Sequence, residues 1–150
     1  MNLPQGMTAI ITGASTGIGR GLALSLTKIY KAKLVLTARS REDLETLAQE
    51  VKRLGGEAVV LAADIAGEGV TESLVNLAIK NFGKLNMVVN NAGMGISGSF
   101  AKLSEEDWRR IFEVNFFSAL TLTQHALPHL RAEEVAKLVN ISSVAGKVSI

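Results

Sequence analysis

The chain has 150 residues, 16 Lys and Arg against 14 Asp and Glu, a formal charge of +2, 47% hydrophobic residues and no cysteine. That length carries one domain with a core that needs no covalent or metal staple, and the missing cysteines exclude disulfides, thiolate catalysis and Cys-ligated metal sites. The small charge argues against a nucleic-acid partner, and the apolar content argues against disorder.

No segment approaches the roughly 18 consecutive apolar residues of a membrane span. The opening MNLPQGMTAII lacks the basic and apolar regions of a signal peptide and the Arg of a transit peptide. A cytoplasmic protein with no membrane partner is expected.

Met7–Thr12 reads as a buried strand. After a glycine-rich turn, Ile18, Leu22, Leu26 and Ile29 recur at helical spacing. Lys33–Ala38 is the second strand. Ser40 and Asp43 form a capping signal for a helix whose face carries Leu44, Leu47, Val51 and Leu54, and Gly55-Gly56 ends it. Ala58–Ala63 is the third strand. Its helix turns Val70, Leu74 and Leu77 inward and stops at Gly83. Met87–Asn90 is the fourth strand, followed by the loop AGMGISGSF and one long helix from about Glu105 to Leu130. Lys137–Ile141 is the fifth strand. Apolar strands alternating with helices predict an α/β fold of the Rossmann type, a doubly wound parallel sheet with helices on both faces. Ligands of such sheets sit beyond the carboxyl ends of the strands.

After strand one comes TGASTGIG. Glycines allow close backbone approach, and the following helix N-terminus favours an anion, so Gly13, Ser15, Thr16, Gly17, Ile18 and Gly19 are candidate phosphate-cradling residues. The spacing is G-x-x-x-G-x-G. A literal G-x-G-x-x-G at Gly93–Gly98 stops short of the next helix cap, at Ser104, and reads as a loop. After strand two stands Arg39, followed by Ser40, where an acid would serve a ribose 2′-hydroxyl. A guanidinium suits a 2′-phosphate, which favours NADP(H) over NAD(H).

Asp64 ends strand three, where it either meets an adenine amino group or caps the loop. Asn90-Asn91-Ala92-Gly93 ends strand four and either ties strands together or walls a cofactor. Asn115 falls in a row with Ile111, Ala119, Leu122 and Ala126, and is expected to be a buried amide with bonded partners. The opposite side of that helix, with Phe117, Leu120 and Leu127, is apolar too, so a homo-oligomer is expected. Ser142 and Ser143 follow strand five. His125 and His129 are expected on the surface, away from them, which excludes a hydrolase triad.

The ordered set TGASTGIG, Asp64, NNAG, Asn115 and NISSVAG resembles the short-chain dehydrogenase/reductase family over essentially the whole chain. The resemblance implies hydride transfer between nicotinamide and a carbonyl or alcohol substrate. The TGASTGIG residues would cradle the cofactor. Asp64, with Ile65 beside it, would meet the adenine, and Asn90, Asn91, Ala92 and Gly93 would border the adenosine. Asn115 would hold a proton-relay water, and Ser143 would orient substrate. The family's Y-x-x-x-K motif has no counterpart here, since the only tyrosine is Tyr30. The fold is therefore expected to be C-terminally incomplete and the 150 residues inactive alone. A short nucleotide-binding or oligomerising module is the alternative. A methyltransferase is disfavoured by Arg39, where that class wants an acid.

Overall fold

A computed structural model describes residues 3–144. The strands are β1 (Thr8–Thr12), β2 (Lys33–Ala38), β3 (Glu57–Ala62), β4 (Met87–Asn90) and β5 (Lys137–Asn140). The helices are α1 (Gly17–Tyr30), α2 (Arg41–Arg53), α3 (Val70–Phe82), α4 (Glu105–Phe112) and α5 (Ser118–Arg131). All neighbouring strands pair in parallel, in the order β3-β2-β1-β4-β5. The chain winds outward from β1 through β2 to β3, then returns across the sheet to place β4 on the other side of β1. The winding therefore changes direction between β1 and β4, and a crevice opens at that point.

Strand alternation sorts the core into two layers. Ala9, Ile11, Leu34, Leu36, Met87 and Val89 pack under Ala23 and Leu26 of α1 and Leu44, Leu47 and Val51 of α2. Ile10, Val35 and Val88 point the other way, against Leu74, Val75 and Ala78 of α3 and Leu122, Ala126 and Leu130 of α5. Each fully buried large apolar side chain contributes about 1.5–3 kcal/mol. Continuous apolar strands thus arise because both faces are covered.

The inner face of α1 differs from the expected row of large residues. Gly19, Ala23, Leu26 and Thr27 are buried, whereas Ile18 and Ile29 are 63% and 61% exposed. Small residues let this helix lie close to the sheet, which brings its N-terminus against the strand ends.

The long helix is capped as its sequence indicates, with Ser104 and Asp107 forming a reciprocal box. It is not uniformly α-helical, because Glu113–Phe117 form a π-helical turn between α4 and α5. The wider turn shifts the buried row to Val114, Ser118, Leu122, Ala126 and Leu130. Asn115 therefore leaves the apolar row predicted for it and is exposed.

At the other end of the sheet, buried Asn86 joins three strand entrances. Its Oδ1 accepts the Thr8 N–H at 3.0 Å. Its Nδ2 donates to Glu133 Oε2 at 2.9 Å and to the Val135 carbonyl at 3.3 Å. Asn86→Leu keeps the volume but leaves the interior Thr8 N–H without a partner. The expected loss is about 2–3 kcal/mol, read as a lower denaturant midpoint at unchanged m-value.

Candidate functional site

A cleft of about 440 Å³ opens at the crevice between the ends of β1 and β4. Its wall includes Gly13, Ser15, Thr16, Gly17 and Ile18 from the first turn, and Arg39 and Ser40 beyond β2. Asp64 and Ile65 line it beyond β3, and Asn91, Ala92 and Gly93 beyond β4. The topology therefore brings together residues far apart in sequence.

The first turn is shaped by its glycines. Gly13 has φ +63°, and a Cβ there would stand 2.9 Å from the Ala92 Cα. Gly17 has φ +54° with open space in front of it, so its requirement is conformational, and room remains for a ligand at the helix N-terminus. Gly19, expected in the cradle, is instead buried beneath it and absent from the cleft wall. A Cβ at Gly19 would lie 2.5 Å from the Gly13 carbonyl oxygen and 2.6 Å from Asn91 Nδ2. Its lack of a side chain serves packing.

Thr12 and Asn91 lock this turn to the end of β4. Thr12 Oγ1 accepts the N–H groups of Asn91 and Ala92, each at 2.9 Å, and donates to the Val89 carbonyl at 3.3 Å. Asn91 Nδ2 donates to the carbonyls of Thr12 and Gly13 at 2.9 and 3.0 Å. The two adjacent asparagines divide the roles left open by the sequence. Asn91 lines the cleft. Asn90 is buried away from it, donating to Asn140 Oδ1 at 2.9 Å and Thr123 Oγ1 at 3.2 Å. Asn90 thus ties β4 to β5 and α5, which corrects its expected place beside the adenosine.

Beyond β2, Arg39 is exposed at the rim. Ser40 is the N-cap of α2 and accepts the Asp43 N–H at 3.3 Å through Oγ. Its hydroxyl proton stays available to donate outward. Asp64 Oδ1 accepts the Ala66 N–H at 3.1 Å, and Oδ2 pairs with the Arg110 guanidinium. Burial alone would raise this carboxyl. The Ala66 hydrogen bond, the Arg110 pair and the charge of Arg39 outweigh it and hold Asp64 below the usual carboxylate value.

Asn115 is exposed, and both ends of its amide engage one residue. Oδ1 accepts the Met94 N–H and Nδ2 donates to the Met94 carbonyl, each at 2.8 Å. The π-helical turn aims Asn115 at the loop after β4, just past the cleft wall. Ser143 is exposed after β5 at the same end of the sheet, and also lies outside that wall. The last two residues of NISSVAG lie outside the described residues. His125 is half-buried rather than on the surface, with Nδ1 3.2 Å from Thr71 Oγ1, and His129 is half-buried as well.

Thr37, Arg110 and Val114 line this region without having been expected there, and Thr12, expected only as part of the glycine turn, locks it. A hydroxyl at the last position of β1 is a usable signal for Thr12. Arg110 carries none, because its partner is 46 residues away. Among the described residues no group of His, Asp or Glu could hold a metal ion, and no helix is long and apolar enough to cross a membrane.

The short chain dehydrogenase family model matches residues 7–150. An uncharacterized oxidoreductase of Methylorubrum extorquens is 36% identical over 148 residues, covering 99% of this chain and 59% of that protein. The ketoacyl reductase HetN of a Nostoc strain is 34% identical over 150 residues, covering 100% and 52%. A 7α-hydroxysteroid dehydrogenase, solved with NADH and 7-oxo glycochenodeoxycholic acid, superposes with a TM-score of 0.90. It is 32% identical, and the match covers 97% of this chain and 56% of that one. The chain thus spans a little over half the length of the proteins it matches.

Proposed function

The chain belongs to the short-chain dehydrogenase family, and from that premise we propose that its cleft binds NADP(H), in preference to NAD(H), in the service of carbonyl–alcohol interconversion. On this reading residues 1–150 act as a dinucleotide-binding domain. The observation that carries it is the cleft itself, where a glycine turn at a helix N-terminus, an arginine beyond β2 and an acid beyond β3 line one space.

The residues fit such a ligand. Gly13 admits no side chain, and Gly17 faces open space. The N–H groups at the start of α1 and the Ser15 hydroxyl receive the pyrophosphate. Arg39 and the Ser40 hydroxyl take the 2′-phosphate, and Asp64 accepts from the adenine amino group. When bound, the nicotinamide supplies the hydride donor or acceptor. Asn115, bonded to Met94, and Ser143 are the candidate relay and substrate-orienting groups.

The test is a titration of the purified chain with NADPH and with NADH, followed by calorimetry. Saturable binding with NADPH the tighter ligand is expected. No binding of either nucleotide would sink the proposal.

We also propose a homo-oligomer. Phe112, Phe116, Phe117 and Leu120 expose between 46% and 55% of their surface along α4, the π turn and α5, more apolar area than one helix normally leaves in water. Replacing Phe116 and Leu120 by Glu is expected to shift the species seen by light scattering from dimer or larger to monomer. An unchanged mass would refute it.

A further inference from the structure

Arg110 is not accounted for by the reading above. It lines the cleft from α4, and its guanidinium pairs with Asp64 Oδ2. Its neighbour Arg109 turns away and bonds Glu105, one helical turn back on the same helix. Helix α4 buries none of its residues fully, so it brings Arg110 to Asp64 without a large packing contribution. Asp64 is consequently held from two sides, by the Ala66 N–H on Oδ1 and by Arg110 on Oδ2. Each oxygen keeps one lone pair for a ligand.

We propose that Arg110 is a positioning residue for purine recognition. It fixes the orientation of the Asp64 carboxylate, an acceptor-only group that takes a 6-amino purine and rejects a 6-oxo purine. This rests on the proposal that the cleft binds an adenine dinucleotide. An ionised carboxylate accepts the adenine amino N–H but meets the oxygen of hypoxanthine as acceptor against acceptor. With Arg110 removed, Oδ2 loses its anchor. The carboxylate then turns freely about its remaining Ala66 contact, and the discrimination falls. Arg39, which on the proposed reading takes the 2′-phosphate, acts on a different distinction.

The experiment titrates wild type, Arg110→Ala, Arg110→Lys and Arg39→Ala with NADPH, NADH and the hypoxanthine analogue of NADPH, with melting curves to confirm folding. Arg110→Ala is expected to weaken NADPH and NADH binding by the same factor, about 5- to 20-fold. The ratio of adenine to hypoxanthine affinity should fall by a similar factor, and Arg110→Lys should restore part of it. Arg39→Ala should change the NADPH-to-NADH ratio and leave the purine ratio alone.

An unchanged purine ratio in Arg110→Ala overturns the proposal. So does a change in the NADPH-to-NADH ratio as large as that of Arg39→Ala, which would make Arg110 a second phosphate ligand. If Arg110→Ala fails to fold, Arg110→Gln, which keeps most of the stem and removes the charge, takes its place. A fallen purine ratio then supports the proposal and an unchanged one overturns it. Absence of binding by the wild type would instead overturn the underlying nucleotide reading.

Discussion

Gly19→Val is expected to lower stability by about 3 kcal/mol, a fall of roughly 6–12 °C in melting temperature for a domain of this size, and to weaken nucleotide binding at least about tenfold. The added Cβ would sit 2.5 Å from the Gly13 carbonyl and 2.6 Å from Asn91 Nδ2. Neither can yield cheaply, because one is backbone and the other is an amide that donates to the carbonyls of Thr12 and Gly13. Relief comes only by pushing α1 off the sheet, which carries the first turn out of the cleft. Gly21 is the internal control. It lies in the same helix, and a Cβ added there would meet nothing within 4 Å. Gly21→Ala is therefore expected to gain about 0.5–1 kcal/mol through lost backbone entropy of the unfolded chain. Equal melting temperatures for the two variants would contradict the packing account.

Arg39→Asp is expected to reverse the nucleotide preference. A charge-assisted hydrogen bond is worth about 1.5–3 kcal/mol, or roughly 10- to 150-fold in affinity, so losing it weakens NADPH by at least that range. The new carboxylate also repels a 2′-phosphate, while it can accept from the 2′-hydroxyl of NADH. Ser40 remains as the α2 cap, so the helix start should be undisturbed and the melting temperature nearly unchanged. Paired titrations with the two nucleotides check this. Equal affinities before and after the substitution would show that Arg39 does not read the ribose.

The parts of the fold that depend on local pattern are readable in the sequence. Strand bounds agree to within about a residue at either end, because apolar runs such as Lys33–Ala38 must be covered on both faces. The Ser104 cap is readable because its partner Asp107 is three residues away. The cleft wall is largely readable too, since each strand end in such a sheet faces the same crevice. What escapes depends on distant chain. The Asp64–Arg110 pair has no local signature. Gly19 reads as a ligand-facing residue because spacing cannot separate a glycine that admits a ligand from one that admits another backbone. The roles of Asn90 and Asn91 divide only because successive strand-end residues face opposite ways, one toward α5 and one toward Thr12.

The π turn at Glu113–Phe117 lies between the cleft and the helix packed on the sheet. An α-helix advances about 100° per residue, so the one residue gained by the wider turn sets the rotational phase of everything N-terminal to it relative to α5. Deleting a residue there would leave a continuous helix and the core contacts of Leu122, Ala126 and Leu130 intact. It would also turn α4 by about a quarter revolution, swinging Arg110 away from Asp64 and Asn115 away from Met94 together. A single backbone irregularity thus couples these two contacts as a matter of angle, independently of how tightly either is made.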